Sequence, residues 1–493
     1  MKFLSTRGGQ TVNNAAQAIT LGLACDGGLF VPEFFPNLYG KLGEMLDMDY
    51  YQRACTVIHS YLEEYDYSAL LQACKNAYDK FDDSEPAPLV KLDDNTFVME
   101  LFHGPTFAFK DVALTLLPYL LRTGADICEK KEKILILVAT SGDTGKAALE
   151  GFKDQKGISI IVFYPSEGVS DMQKAQMQTQ EGANVKVVGI EGNFDDCQTA
   201  VKNIFSDKEF ANKLLGQNVV LSSANSINFG RLVPQISYYF SAYCDLVNSG
   251  DISLGDKVDF VVPTGNFGNI LAGYYAKKMG LPIGKLVCAS NNNNVLTDFF
   301  CDGTYDVNRK FFKTMSPSMD ILISSNLERL IFELSNRDAN KTAQKMQELK
   351  SKGKYTIDKT EKATLDAEYF AGYCTEEDCS DTICDVFEEF DYTADPHTAV
   401  ALKVYFDYQI KSNTKNKTVV LSTASPFKFA SDVLASLTGK VVTDAFKACK
   451  ILSTQTALEV PEQISGLENK QRRFTDVIDK SQAQNAVFDF AKE

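Results

Sequence analysis

The sequence predicts an α/β fold, and three features predict it. Short runs rich in Val, Ile and Leu recur from residue 133 onward, each is followed by a segment of helical periodicity, and glycine-rich turns stand where several of the runs end. Strands apolar on both faces belong to a parallel sheet covered by helices on either side. Ligands of such sheets gather beyond the carboxyl ends of the strands.

Residues 40–80 read as helical, because Leu42, Met45 and Leu46, and then Val57, Ile58, Tyr61 and Leu62, recur at helical spacing with no strong strand run among them. They predict a small N-terminal domain over 1–92, closed by "DDSEPAPLVKL", where prolines and an acidic cluster punctuate the chain. Strands are expected at "KILILVAT" (133–140), "GISIIVFYP" (157–165), "NVKVVGI" (184–190), "NVVLSSA" (218–224), "VDFVVPT" (258–264), "KLVCAS" (285–290) and "TVVLSTA" (418–424). Residues 131–235 are expected to form a small α/β domain, and 93–130 with 236–493 a larger one. Within the larger one, 337–392 is lysine-rich and then acidic without a comparable strand, which predicts a mostly helical insertion.

A chain of 493 residues exceeds one ordinary core, so a cleft between domains is available. Its 44% hydrophobic and 23% charged residues are the proportions of a globular protein, and no apolar run approaches membrane-spanning length. The net charge of −15 argues against a broad nucleic-acid footprint, so any anionic ligand must be held locally. The opening "MKFLSTRGGQ" lacks the apolar core of a secretory signal. The expectation is a cytoplasmic protein, monomeric or homodimeric, that binds a small molecule and neither nucleic acid nor membrane. The 12 cysteines are scattered, as reduced thiols are, and Cys374, Cys379 and Cys384 are spaced more widely than zinc-ligand pairs, with no histidine close by. No metal site is expected.

Three strand ends carry the chemistry. After "KILILVAT" comes Ser141-Gly142-Asp143-Thr144-Gly145-Lys146, a turn into a helix whose backbone N–H groups and hydroxyls suit an anion. It is not a Walker A loop, which needs glycine where Thr140 stands and a hydroxyl where Ala147 stands. After "VDFVVPT" comes Gly265-Asn266-Phe267-Gly268-Asn269, again feeding a helix N-terminus but without dinucleotide-site spacing. After "TVVLSTA" a hydroxyl, Thr423, closes a buried strand. Upstream, Lys110 sits between Phe107-Ala108-Phe109 and the apolar stretch from Val112, where a lysine is out of place unless its stem merely lines an apolar surface. Two phosphate-sized anion sites and a lysine in an apolar setting are what a pyridoxal phosphate enzyme needs when its substrate is itself phosphorylated. Burial keeps such an amine from permanent protonation, so that it can form a Schiff base with the cofactor aldehyde.

The motifs "ELFHGPTFAFKD", "TSGDTG", "NSINFGRLVPQ", "PTGNFGN", "TMSPSMDILISSNLER", "DPHTAVA" and "STASPFKF", with "STRG" and "DGGLFVPE" near the start, together resemble the threonine synthase family. The resemblance runs in order from residue 5 to about 430 and lies with the longer, fungal and enterobacterial-like branch. It implies a tryptophan-synthase-β-like fold (pyridoxal phosphate fold type II), a two-domain core with a small N-terminal domain added. It also implies conversion of O-phospho-L-homoserine and water to L-threonine and phosphate. By this resemblance Lys110 is the catalytic lysine that binds the cofactor. Gly265, Asn266, Phe267, Gly268 and Asn269 form the cofactor phosphate loop, and Thr423 faces the ring nitrogen. Ser141, Asp143 and Thr144 fall in the substrate loop, while Asn228 and Arg231 contact the substrate phosphate. Arginine suits that task because its fork matches phosphate oxygens bidentately. Ser425 stands where many relatives carry histidine, and Phe107 where leucine is frequent; neither change removes a group the chemistry needs. His397, following Pro396, reads as a structural residue in the first turn of a helix, and His103 as shaping the "HGPT" turn. The rival readings are another enzyme of the same fold, such as a dehydratase or a β-replacing synthase acting on an unphosphorylated substrate, a synthase-like phosphoester lyase, and a cofactor-binding protein that makes no threonine.

Overall fold

Every apolar run named above forms a strand, within two residues of its expected bounds, in the computed structural model, which describes residues 1–140, 142–167 and 169–492. Lys133–Ala139, Ile158–Pro165, Val185–Ile190 and Val219–Ser223 make one sheet, all parallel, with Lys133–Ala139 between Ile158–Pro165 and Val219–Ser223. Val258–Pro263, Ile283–Ser290 and Lys417–Ser422 form the centre of a second, six-stranded sheet. All six residues of Val258–Pro263 are buried, as a parallel strand covered on both faces requires.

The strands that the apolar pattern does not mark lie mostly at edges. Thr96–Glu100 pairs parallel with Lys417–Ser422, and Leu89–Lys91, expected within the N-terminal domain, pairs antiparallel with Thr96–Glu100 as the sheet's last strand. The 337–392 stretch is not purely helical. Its Tyr369–Tyr373 forms the opposite edge of the six-stranded sheet against Ile283–Ser290, and Lys354–Thr356 pairs with Thr304–Asp306. The tail, expected in the larger domain, returns to the smaller sheet: Val477–Ile478 pairs with Val185–Ile190, and Ala483, Val487 and Phe490 pack into that sheet's core.

At the N-terminus, Phe3–Ser5 lies antiparallel between Thr11–Val12 and Phe30–Pro32. Helix Tyr50–His59 starts at Asp49, whose side chain and Gln52 form a reciprocal cap, and helix Tyr67–Tyr78 starts at Asp66. The buried Arg53 joins this region to helix Phe229–Asn248 through Ser241 Oγ (3.0 Å) and Asp245 Oδ1 (2.5 Å). That helix is almost wholly buried and runs from the smaller sheet to the larger. Among the described residues no helix is long and apolar enough to cross a membrane.

Helix Asp143–Phe152 crosses helix Lys110–Leu114 at Gly151, where a Cβ would lie 2.0 Å from the Leu114 carbonyl oxygen. The crossing has no room for a side chain, and it fixes where the first residue of each helix points. Gly151→Ala should therefore destabilise the fold by about 1–3 kcal/mol in urea denaturation, the usual cost of forcing atoms into a packed contact. An unchanged denaturation midpoint would show that the two helices can slide.

Candidate active site

The cavity between the two sheets has a volume of about 390 Å³ and opens at the carboxyl ends of strands Lys133–Ala139, Val258–Pro263 and Lys417–Ser422. The structure brings Lys110, Asp143, Thr144, Arg231, Gly265, Asn266, Phe267, Gly268, Asn269 and Thr423 to its wall. Ser141 lies outside the described residues.

Lys110 is placed by its neighbours in sequence. Phe107 takes a left-handed φ of 58°, the Phe109 N–H donates to the Thr423 carbonyl (2.9 Å), and the Ser425 N–H donates to the Phe107 carbonyl (3.1 Å). The segments "TFAFK" and "STAS" are thus laced together, which brings the amine beside the end of the Lys417–Ser422 strand. Asp111 is the next residue of helix Lys110–Leu114. It is buried and accepts from the Thr106 N–H (2.8 Å) and hydroxyl (2.6 Å), clamping the preceding turn, and burial pushes its carboxyl up to about 6.

Lys110 is 8% exposed, and its amine donates to Ser318 Oγ (3.3 Å) and lies 3.5 Å from Asp143 Oδ2. Burial pushes its pKa below the usual lysine range; Asp143 opposes that shift, while Arg231 and Lys428 reinforce it. Asp143 has both oxygens engaged. Oδ2 accepts from Ser318 Oγ (3.0 Å), and Oδ1 meets the Lys428 amine (2.7 Å) and Gln173 Nε2 (3.1 Å). Burial alone would raise this carboxyl, but the two amines, Lys428 first and then Lys110, outweigh it and hold the pKa far below the usual carboxylate range. Lys146, which a Walker A loop would aim at phosphate, is turned instead to Gln180 (2.5 Å) and Glu150 (3.2 Å).

On the opposite wall, Gly265–Asn269 turns sharply into helix Gly268–Lys278. Phe267 adopts φ 63°, and no side chain caps the helix, which leaves the first-turn N–H groups without a capping acceptor. Gly265 approaches the Ser318 carbonyl so closely that a Cβ would lie 2.8 Å from it. The turn is braced from outside: Ser324 Oγ donates to the Gly265 carbonyl (2.7 Å), and the Asn326 side chain donates to the Asn266 carbonyl (3.0 Å). Arg329, fully buried, fixes Asn326 and also donates to the carbonyls of Phe30 (3.0 Å) and Ile227 (2.7 Å). One guanidinium thereby ties the N-terminal sheet to both walls.

Arg231 is 4% exposed and faces the cavity; Nη1 donates to the Ala224 carbonyl (2.9 Å), Nε has no partner among the described residues, and burial pushes its pKa down to about 10. Asn228 corrects the sequence expectation. It does not line the cavity, because its oxygen caps helix Phe229–Asn248 at the Gly230 N–H (2.9 Å) and its amide donates to the Ile19 (3.0 Å) and Ser223 (3.3 Å) carbonyls. Its hydrogen-bonding capacity is spent on the fold. Asn225 and Ser226, three and two residues earlier in the same motif, line the cavity in its place.

Lys428, Ser318 and His397 are further residues of the site region that sequence reasoning missed. Lys428 carried a usable signal, an amine between Phe427 and Phe429, the same anomaly that singles out Lys110. His397 accepts the Ser318 backbone N–H at Nε2 (3.2 Å), so its proton sits on Nδ1, 2.6 Å from Asp395 Oδ2. It braces the Ser318 turn and lines the cavity.

His103 is not among the cavity-lining residues; it bridges Asp82 (2.8 Å) and Glu100 (2.9 Å). Burial opposes its charge, but the two carboxylates outweigh that and push it up to about 9. A histidine raised above its unfolded value stabilises fully below about pH 6.5, and this contribution disappears as pH rises through about 9. His103→Gln should therefore lower stability by about 1–2 kcal/mol at pH 7, discounting for partial exposure, and by much less at pH 10. Equal losses at both pH values, read by urea denaturation, would exclude the charge as the cause.

Comparison with known proteins places this geometry. Residues 82–425 match the family described as "Pyridoxal-phosphate dependent enzyme", residues 2–78 match "Threonine synthase N terminus" and residues 398–487 match "Threonine synthase, C-terminal". The chain is 40% identical over 451 residues to threonine synthase of Saccharomyces cerevisiae, covering 86% of each protein. It is 43% identical over 444 residues to the human protein named threonine synthase-like 1, of whose length the match spans 58%. The crystal structure of a PLP-bound threonine synthase from Brucella melitensis is 36% identical, covers 100% of both chains and superimposes with a TM-score of 0.89.

Proposed function

From the premise that the chain belongs to the threonine synthase family, with the α/β architecture of fold-type-II pyridoxal phosphate enzymes and that family's N-terminal domain, we propose that it converts O-phospho-L-homoserine and water to L-threonine and phosphate. One observation carries the reading. A buried amine disposed to lose its proton, an incompletely paired guanidinium and an uncapped helix N-terminus converge on a single cavity.

The cofactor of the family is pyridoxal 5'-phosphate, and the wall fits it. Asn269 Nδ2, Gln235 Oε1 and Arg231 Nε are buried around the cavity without partners among the described residues, and the Gly265 turn leaves no space for a side chain. Lys110, the Gly265–Asn269 turn and Thr423 would hold the group. When bound, the cofactor supplies an electron sink that makes the hydrogens near the substrate's amino carbon acidic.

The chain's own residues do the rest. Lys110, freed as an amine, takes the proton from Cα and serves again at the neighbouring carbons, a task for a base whose pKa lies below the usual lysine range. A proton leaves Cβ, the Cγ–O bond breaks and phosphate departs; a proton is then returned at Cγ, water adds its hydroxyl at Cβ, and Cα regains its proton. Arg231, Thr144, Asn225 and Ser226 would hold the substrate phosphate and keep it after it departs. Asp143, with both oxygens already paired, acts on Lys110 and not as a direct phosphate contact. The protein would work in the cytoplasm on this small molecule.

The test is purified full-length protein with O-phosphohomoserine, measuring phosphate and threonine together. Equal amounts of both support the proposal. Phosphate without threonine means a phosphoester lyase that releases a keto acid, and no turnover with cofactor bound means a binding protein.

A further inference from the structure

Two buried amines share one buried carboxylate across the cavity wall. Lys428, its side chain fully excluded from solvent, holds Asp143 Oδ1 at 2.7 Å and the Thr106 carbonyl at 2.9 Å. Lys110 stands off the other oxygen at 3.5 Å, with Ser318 Oγ between them. A buried cluster of this composition reaches neutrality with one proton on two amines. The proton belongs on the amine with the shorter contact and a second acceptor, because a desolvated ammonium needs both. We propose that Lys428 is a positioning residue for Lys110: it is Asp143's permanent ion partner, so the Lys110 amine meets the cofactor aldehyde, and later the substrate, uncharged.

The other charged and titratable groups around Lys110 point the same way. Arg231, from helix Phe229–Asn248, adds a second positive charge, and its Nη1 donates to a backbone carbonyl, that of Ala224. His397, from helix Pro396–Ser412, presents Nε2 as an acceptor to the Ser318 backbone. Asp111, next in the chain, is turned toward Thr106. Asp143 is thus the acid that approaches the amine. With Lys428 removed, Lys110 would become the sole ammonium available to Asp143, and a carboxylate alone beside a buried lysine keeps it protonated.

This rests on reading Lys110 as the residue that bonds the cofactor. The experiment follows capture of added pyridoxal 5'-phosphate by cofactor-free full-length protein, through the absorbance of the lysine-bound form, between pH 6 and 10. Lys428→Met should slow capture near neutral pH about tenfold and move the half-point of the pH profile up by about one unit. Lys428→Arg, which keeps the charge, should restore capture. Lys428→Met with Asp143→Asn, which removes both charges together, should also restore it. If Lys428→Met gives no cooperative thermal melt, the double variant decides. Wild-type capture by Lys428→Met, or a double variant that is slower than the single or unfolded, would overturn the proposal, since a packing role predicts additive damage. Lysine-bound absorbance in Lys110→Ala would instead overturn the reading of Lys110.

Discussion

Lys110→Ala is expected to lower threonine formation by about 10⁴-fold or more, while the protein still folds. The size follows from what the proposed reaction asks of one amine: it would be both the covalent anchor and the base at successive carbons, and proton transfer alone contributes about 10²–10⁴-fold. The fold should survive because Asp143 keeps Lys428 as its partner at 2.7 Å when Lys110 is gone. A carboxylate left wholly unpaired at this depth would cost several kcal/mol. Lys110→Arg separates charge from reactivity, since guanidinium keeps a cation near Asp143 but neither condenses with an aldehyde nor accepts a proton near neutral pH. Both variants should fail alike in single-turnover assays. Turnover by Lys110→Arg within tenfold of wild type would mean that the residue serves only as a cation.

The sequence made the interior of this fold legible and its margins much less so. Val258–Pro263 and Lys133–Ala139 are covered on both faces, so nearly every residue is apolar and the pattern cannot be mistaken. Tyr369–Tyr373 sits at a sheet edge, is mostly half-buried and contains Gly372, and so reads as nothing in particular. Val477–Ile478 is too short to carry a pattern, yet it returns the tail to the smaller sheet. The site divides in a similar way. A lysine among aromatics is anomalous wherever it stands, which exposes Lys110; applied evenly, the same rule exposes Lys428. Asn228 could not be judged from its motif, because a motif fixes position along the chain and not where a side chain spends its hydrogen bonds. The beginning of a helix claimed it. Asp143 was legible as a loop residue but not as the meeting point of two amines, since its partners lie 33 and 285 positions away.

Arg231→Met should separate function from stability. The guanidinium is buried with Nε unpaired, and burial takes its pKa down to about 10, so the folded protein alone gains little from holding a cation there. That shift corresponds to roughly 3 kcal/mol of unfavourable burial, set against the loss of one charged hydrogen bond to the Ala224 carbonyl, worth about 1.5–3 kcal/mol. The two nearly cancel, and methionine refills the space, so the cofactor-free variant should denature within about 1 kcal/mol of wild type. Substrate tells a different story. A phosphate reaching this wall would meet an already desolvated fork, and losing such a partner typically costs about 2–5 kcal/mol, or about 30- to 5,000-fold in kcat/KM. Inhibition by inorganic phosphate should weaken in parallel, and Arg231→Lys should recover only part of the loss because a point charge lacks the bidentate geometry. If Arg231→Met instead unfolds the protein and leaves phosphate inhibition unchanged in what remains folded, the guanidinium is a structural strut and the substrate phosphate binds elsewhere on the wall.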